Sequence, residues 1–251
     1  MAGELVLIGI GAGDPGWVTM EAVDAIRALD VLFVVRKQAE LDDLVDARRV
    51  VVAQHRETPL REVELIDPPR PWRSAEDYPA AVARWRAERL AQWSAAVAAE
   101  LGPDERGGFL VWGDPSLYES TLAIAQELIA AQPELTLRVI PGISAVHALT
   151  ARHQIPLNRQ GRAVQIMPAR LLADGLPETV DDAVVMLDAH QSFASIDPTG
   201  LDIYWGAYLG TADEILISGD LARTRAEILR VRAEAAAAKG WMFDTYLLRR
   251  R

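Results

Sequence analysis

Short apolar, β-branched runs punctuate the chain at 4–10 (ELVLIGI), 31–35 (VLFVV), 49–53 (RVVVA), 108–112 (GFLVW) and 136–141 (TLRVIP). Runs of this length between turn residues predict buried strands of a parallel sheet. Between some of them apolar positions recur at helical spacing. Residues 18–29 place Met20, Ala22, Val23 and Ile26 on one face, and residues 120–131 do the same with Leu122, Ile124, Leu128 and Ile129. Strand alternating with helix predicts an α/β layer fold with right-handed crossovers. Residues 59–76, rich in proline and charge, read as an excursion. A long helix from about 77 to 101 follows, with Trp85 and Trp93 eight apart and Arg84, Arg86 and Arg89 expected on a solvated face.

The pattern changes after the helical stretch SAVHALTARH. Runs at 162–167, 183–187, 202–208 and 214–218, a helix at 222–238 and a last strand at 241–248 predict a smaller mixed sheet. The change falls near 153–158, which sets expected domains at 1–154 and 155–251. A length of 251 residues, half of them hydrophobic, suits one large α/β domain or two small ones equally. A formal charge of -10 argues against a general nucleic-acid or anionic-membrane binder. The absence of cysteine excludes disulfides and thiolate sites, and histidines at 55, 147, 153 and 190 lack ligand spacing, so no metal is expected. No basic leader or long apolar span is visible, which reads as a cytoplasmic protein.

The first strand runs into GIGAGDPGW, residues 9–17. A dinucleotide fingerprint needs a third glycine where this chain has Asp14, and a carboxylate there repels a phosphate. No Gly-Lys-Ser/Thr follows, so a P-loop is excluded. Gly-Asp-Pro recurs in WGDPSLYEST at 112–121, again directly after a strand, and each aspartate and proline pair is expected to start a helix. PGISAVHAL at 141–149 forms a third strand-end turn. Ligands of open α/β sheets bind outside the carboxyl ends of the strands, where three such turns can line one crevice.

In that order and spacing, GIGAGDPGWVT, VWGDPSLYEST and IPGISAVHAL resemble the tetrapyrrole methylase family, with VVMLDAH at 184–190 and YWGAYLGTADEILISG at 204–219 extending the likeness over essentially the whole chain. The resemblance implies a two-domain α/β fold, a parallel-sheet N-terminal domain plus a smaller mixed-sheet C-terminal one, with the active site in the cleft between them. It implies S-adenosyl-L-methionine as cofactor, S-adenosyl-L-homocysteine as product and a homodimer. The segments PLNR at 156–159 and KGWMFDTYLLRRR at the end are nearest the branch that methylates precorrin-5 at C-1 with loss of acetate.

By the same resemblance the cofactor residues are Ala12, Trp112, Gly113, Asp114, Leu117, Ser144, Ala145, Leu187, Ala207 and Tyr208. Relatives acting on early uroporphyrinoid intermediates carry an aspartate in a Tyr-Asp-Arg context at the end of the second strand. This chain reads VLFVVRK there, so their base assignment does not transfer. Arg36 and Lys37 become candidates for the macrocycle's carboxylates, with Arg152 and Arg159 as further ones. Methyl transfer from a sulfonium needs little acid or base chemistry, whereas deacylation needs delivered water, for which Asp14, Tyr118 and His153 are candidates. His147 is expected to be structural. Another methyltransferase of the same fold, a nicotinamide oxidoreductase and a non-catalytic ligand-binding protein remain as alternatives.

Overall fold

The computed structural model describes residues 3–36, 42–69 and 77–251. The chain divides into two compact units, Met1–Gly11 with Pro15–Ile143, and Ala12–Asp14 with Ser144–Arg251. The sequence pattern changes about ten residues later than this division, because the helix over 145–153 groups with the second unit.

The first unit holds a five-stranded parallel sheet of β1 (Glu4–Gly9), β2 (Val31–Arg36), β3 (Arg61–Ile66), β4 (Arg106–Val111) and β5 (Thr136–Ile140), ordered β3-β2-β4-β1-β5. Its helices are α1 (Met20–Arg27), α2 (Asp42–His55), α3 (Tyr78–Glu100) and α4 (Thr121–Ala131). Alternation along the strands splits the core. Val6, Ile8 and Leu110 pack with Ala22, Ile26, Val45 and Val51 of α1 and α2, while Leu5, Leu7, Phe33 and Phe109 pack with Trp93 and Val97 of α3 and Ile124 and Leu128 of α4. Trp93 stacks on Phe109 at 4.4 Å, and Phe109 on Phe33 at 5.3 Å.

Several expectations are corrected. RVVVA at 49–53 lies inside α2 and not in a strand. The excursion over 59–76 contains β3, whose REVELI alternation suits an edge strand. Neither Gly-Asp-Pro opens an α-helix: Pro15 begins a three-residue 3-10 turn, and α1 starts later, where Thr19 Oγ1 accepts from the Ala22 amide at 3.2 Å. The second motif is followed by turns until α4. Met20 is exposed, and α1 buries Ala22, Val23, Ala25 and Ile26 instead.

The second unit holds a mixed sheet of β6 (Val164–Pro168), β7 (Asp182–Met186), β8 (Leu201–Ala207), β9 (Ile215–Asp220) and β10 (Asp244–Arg250), ordered β6-β7-β10-β8-β9. Strand β10 runs antiparallel to β7 and β8, so those two end at the same edge. Met167, Val185, Ile203, Trp205 and Tyr246 share one face with Phe193 and with Ile228 of α6 (Leu221–Lys239). Helix α5 (Ala145–His153) covers the other face, where Leu149 lies so close to Gly206 that a Cβ there would stand 2.8 Å from it. Among the described residues no helix is long and apolar enough to cross a membrane.

Candidate active site

In the first unit, β1 and β4 are neighbours whose following helices cover opposite faces, which makes their carboxyl ends a topological switch point. The three predicted turns meet there through main chain. Gly11 and Gly113 form an antiparallel bridge, their amides donating to each other's carbonyls at 3.2 and 2.8 Å. A Cβ on Gly9 would stand 2.5 Å from the Gly142 nitrogen, and one on Gly142 would stand 2.1 Å from the Gly113 oxygen. Glycine is the residue that permits this approach.

Asp114 ties the second turn to the third. One carboxylate oxygen accepts from the Ser116 amide at 2.8 Å and from its hydroxyl; the other accepts from the Gly142 amide at 2.9 Å. Trp112 is half-buried against the side of the core covered by α1 and α2, and Leu117 closes the turn by donating to the Asp114 carbonyl at 3.2 Å. Tyr118 is exposed, with a left-handed φ of 52° that tyrosine rarely adopts. Asp14 is half-buried. Arg36 ends β2 and pairs with Glu64 at 3.2 Å, both partly exposed, and Lys37 lies outside the described residues.

Two cations behind these turns escape a reading of the sequence. Strands β2 and β4 pair only at Val31 and Leu32, and beyond them Arg48 of α2 donates to the Leu110 carbonyl at 3.0 Å. Burial lowers the Arg48 pKa, an effect that nearby Glu119 opposes. Arg89, expected at the surface, is 5% exposed. It pairs with buried Asp67 at 3.0 Å, lies against the Trp85 and Trp93 rings and donates to Ser120 Oγ at 2.8 Å. It therefore braces the end of the second turn against the end of β3.

In the second unit Ala145 opens α5, and Ser144 caps it in extended conformation, its hydroxyl bonded to His147 Nδ1 at 2.9 Å. His147 is exposed and held by that bond. His153 Nε2 donates to the Trp205 carbonyl at 3.0 Å and the ring stands edge-on to Tyr204. Burial lowers the His153 pKa against the raising effects of that carbonyl bond and of Glu214. Arg152 pairs with Glu214 at 2.9 Å, and Glu214 also accepts from the Gly210 amide. Arg159 and Arg249 hold fully buried Asp182 between them at 3.1 and 2.7 Å, and the Arg159 guanidinium reaches the Arg250 carbonyl as well. Arg152 and Arg159, two candidates for substrate binding, thus carry structural contacts of the second unit.

Leu187 and Tyr208 follow β7 and β8 directly, and both are left-handed, with φ of 60° and 48°. Ala207 is fully buried, and Tyr208 donates its hydroxyl to the Trp241 carbonyl at 2.6 Å, whereas Leu187 is 64% exposed. Ala12–Asp14 belongs to this unit because Gly13, with φ of 151°, sits against main chain: a Cβ there would lie 2.6 Å from the Leu209 oxygen. Residues 12–14 and the end of β8 are therefore neighbours.

The profile of the Tetrapyrrole (Corrin/Porphyrin) Methylases matches residues 4–224. The chain belongs to that family. A Sinorhizobium protein named precorrin-6A synthase (deacetylating) is 42% identical over 250 residues, 98% of this chain and 95% of its own length. A Salmonella typhimurium cobalt-precorrin-2 C(20)-methyltransferase is 26% identical over 78% of the chain and 77% of its own length. The crystal structure of a Corynebacterium diphtheriae protein described as related to cobalamin synthesis (CobF) superposes with TM-score 0.85 at 31% identity, covering 100% of this chain and 99% of the other. A Thermus thermophilus uroporphyrin-III C-methyltransferase, solved with S-adenosylhomocysteine, shares the fold at TM-score 0.61 and 16% identity, covering 98% of this chain and 91% of the other. Tetrapyrrole methylases are S-adenosylmethionine-dependent C-methyltransferases, and membership assigns that chemistry to the chain. Its residues fit such a cofactor. In the first unit, the close main-chain turns at Gly9, Gly113 and Gly142 with the Asp114 carboxylate among them suit a cationic methyl donor and disfavour a pyrophosphate.

Proposed function

We propose that the chain methylates precorrin-5 at C-1 using S-adenosylmethionine and releases acetate, giving precorrin-6A and S-adenosylhomocysteine. The observation that carries this reading is 42% identity, across nearly the full length of both chains, to the protein named for that reaction. The cofactor supplies an activated methyl group on sulfonium. The electron-rich ring carbon takes the methyl, and the C–S pair stays on sulfur. Water then adds to the acyl carbonyl, the C–C bond breaks with its electron pair passing into the ring system that methylation left electron-poor, and acetate leaves with release of the water's protons.

The chain's part in the first step is positioning, which can supply on the order of 7 kcal/mol. For this we assign Trp112, Gly113, Asp114 and Leu117 in the first unit, and Ala12, Ser144, Ala145, Leu187, Ala207 and Tyr208 in the second. Asp114, with both oxygens engaged by its own turns, shapes the site and leaves cofactor contact to neighbouring main chain. Fully buried Ala207 likewise offers main chain. For delivery of water we assign half-buried Asp14 and exposed Tyr118, with His153, whose Nε2 donates to a carbonyl, as the third candidate. Arg36, at the end of β2, is the cation we assign to a macrocycle carboxylate.

Incubation with methyl-labelled S-adenosylmethionine and precorrin-5 tests the reading. Labelled precorrin-6A and acetate are expected in equal amounts. Label transfer without acetate, or no transfer to precorrin-5, overturns it. Tryptophan fluorescence should respond to S-adenosylhomocysteine and not to NAD, through Trp112.

A further inference from the structure

Beneath Leu187 lies a buried polar network that the reaction chemistry does not use. Asp188 is 4% exposed and accepts three hydrogen bonds: from the Ser192 amide at 2.7 Å, the Ser192 hydroxyl at 3.0 Å and the Tyr246 hydroxyl at 2.7 Å. Its carbonyl accepts from Arg232 at 2.8 Å. Arg232 in turn pairs with Asp244 at 2.8 Å, and Asp244 also accepts from the Trp205 indole at 3.0 Å. Burial, then the Asp188 charge, pushes the Tyr246 hydroxyl far above its ordinary pKa, so it remains a donor.

The Leu187 backbone is left-handed, a conformation that a leucine adopts only at a cost. Such a conformation persists only where its surroundings over-determine it, and strain of this kind marks sites that hold a ligand. Register supplies a second observation. Val185 and Trp205 stand on either side of Tyr246, so Leu187 and Tyr208 leave the sheet at the same edge, flanking the start of β10. Both residues that leave it there are left-handed and not glycine.

We infer that Asp188 and Tyr246 are positioning residues: their network locks the Leu187 backbone so that its side chain stands as a fixed apolar wall for the flat base of the cofactor. This inference rests on the methyltransferase reading. An Asp188 anchor removes the freedom that an exposed leucine would otherwise surrender on binding.

The test is a double-mutant cycle read by titration with S-adenosylhomocysteine, with KM for precorrin-5 measured alongside. Asp188→Asn is expected to weaken S-adenosylhomocysteine about tenfold, equivalent to about 1.4 kcal/mol, and to leave KM for precorrin-5 unchanged. Leu187→Gly weakens binding by loss of the wall, but glycine adopts the left-handed conformation unaided. Asp188→Asn added to Leu187→Gly should therefore cost less than twofold more. Tyr246→Phe, a gentler removal of one donor, should repeat the pattern if Asp188→Asn fails to fold. Equal penalties in the wild-type and Leu187→Gly backgrounds are the mark of a purely structural network and overturn the inference, as does undiminished binding by folded Asp188→Asn or Tyr246→Phe. A wild-type chain that binds no S-adenosylhomocysteine overturns the methyltransferase reading, and this inference with it.

Discussion

Single residues decide most of what the site can tolerate. Gly142 approaches Gly113 so closely that an alanine Cβ would overlap its carbonyl oxygen at 2.1 Å. Gly142→Ala is expected to cost about 3 kcal/mol or more, because main chain must move, and urea unfolding against wild type checks this. Arg36 offers a different readout. If it binds a macrocycle carboxylate, Arg36→Ala raises KM for precorrin-5 by roughly tenfold or more while S-adenosylhomocysteine affinity stays constant. Unchanged KM removes Arg36 from the macrocycle's contacts. Asp14→Asn should slow acetate release with methyl transfer preserved, and equal rates of both products relative to wild type would assign Asp14 to turn structure alone. At this scale the sequence was legible where chemistry is local. Glycines at strand ends, and an aspartate where a phosphate site needs glycine, are visible in a string of letters. Arg89 was not legible, because its burial depends on Asp67 and two tryptophans meeting in three dimensions.

Elements follow the same division between local and distant causes. Strands β1, β2 and β4 were readable as apolar runs because both faces of the parallel sheet are covered there, whereas β5, at the sheet edge, was readable from its run although only Ile140 in it is buried. The same rule misplaced RVVVA, where Val51 is buried in the core covered by α1 and α2 while Val50 is exposed. A helix face, and not a strand, sorts those valines, so tertiary packing overrode β propensity. Strand β3 hid behind its charges, since an edge strand with one covered face alternates polar and apolar residues. The start of α4 was expected from Gly-Asp-Pro but is made by Glu119. Its carboxylate accepts from the amides of Ser120 and Thr121 at 2.8 and 3.0 Å and from the Thr121 hydroxyl at 2.7 Å. Glu119→Ala should therefore destabilise the chain by about 1–2 kcal/mol, checked by denaturant midpoint, and a change within a few tenths would assign the helix start to other contacts.

For the molecule as a whole, acid is the informative variable. The His153 pKa is lowered by burial, so the folded state binds its proton less readily than the unfolded chain does. Stability is then fully present above the unfolded value of about 6.5 and falls as pH drops below it toward the folded value. Glu105, with its pKa lowered chiefly by the Gly102 amide, and Asp197, with its pKa lowered by Thr199, act in the same direction further down. They lose their contribution as pH falls from about 4 through their own lower pKa values. Urea midpoints should be level from about pH 7 to 9 and decline in two stages as pH falls, and His153→Gln should flatten the first stage while sparing the second. The junction of Gly9, Gly113 and Gly142 has a consequence for redesign. Where peptide planes touch, a library of side chains has nothing to vary, so redesign must leave the glycine hub as inherited scaffold and vary residues outside it, with Arg36 and Tyr118 the first to try under the proposed reading.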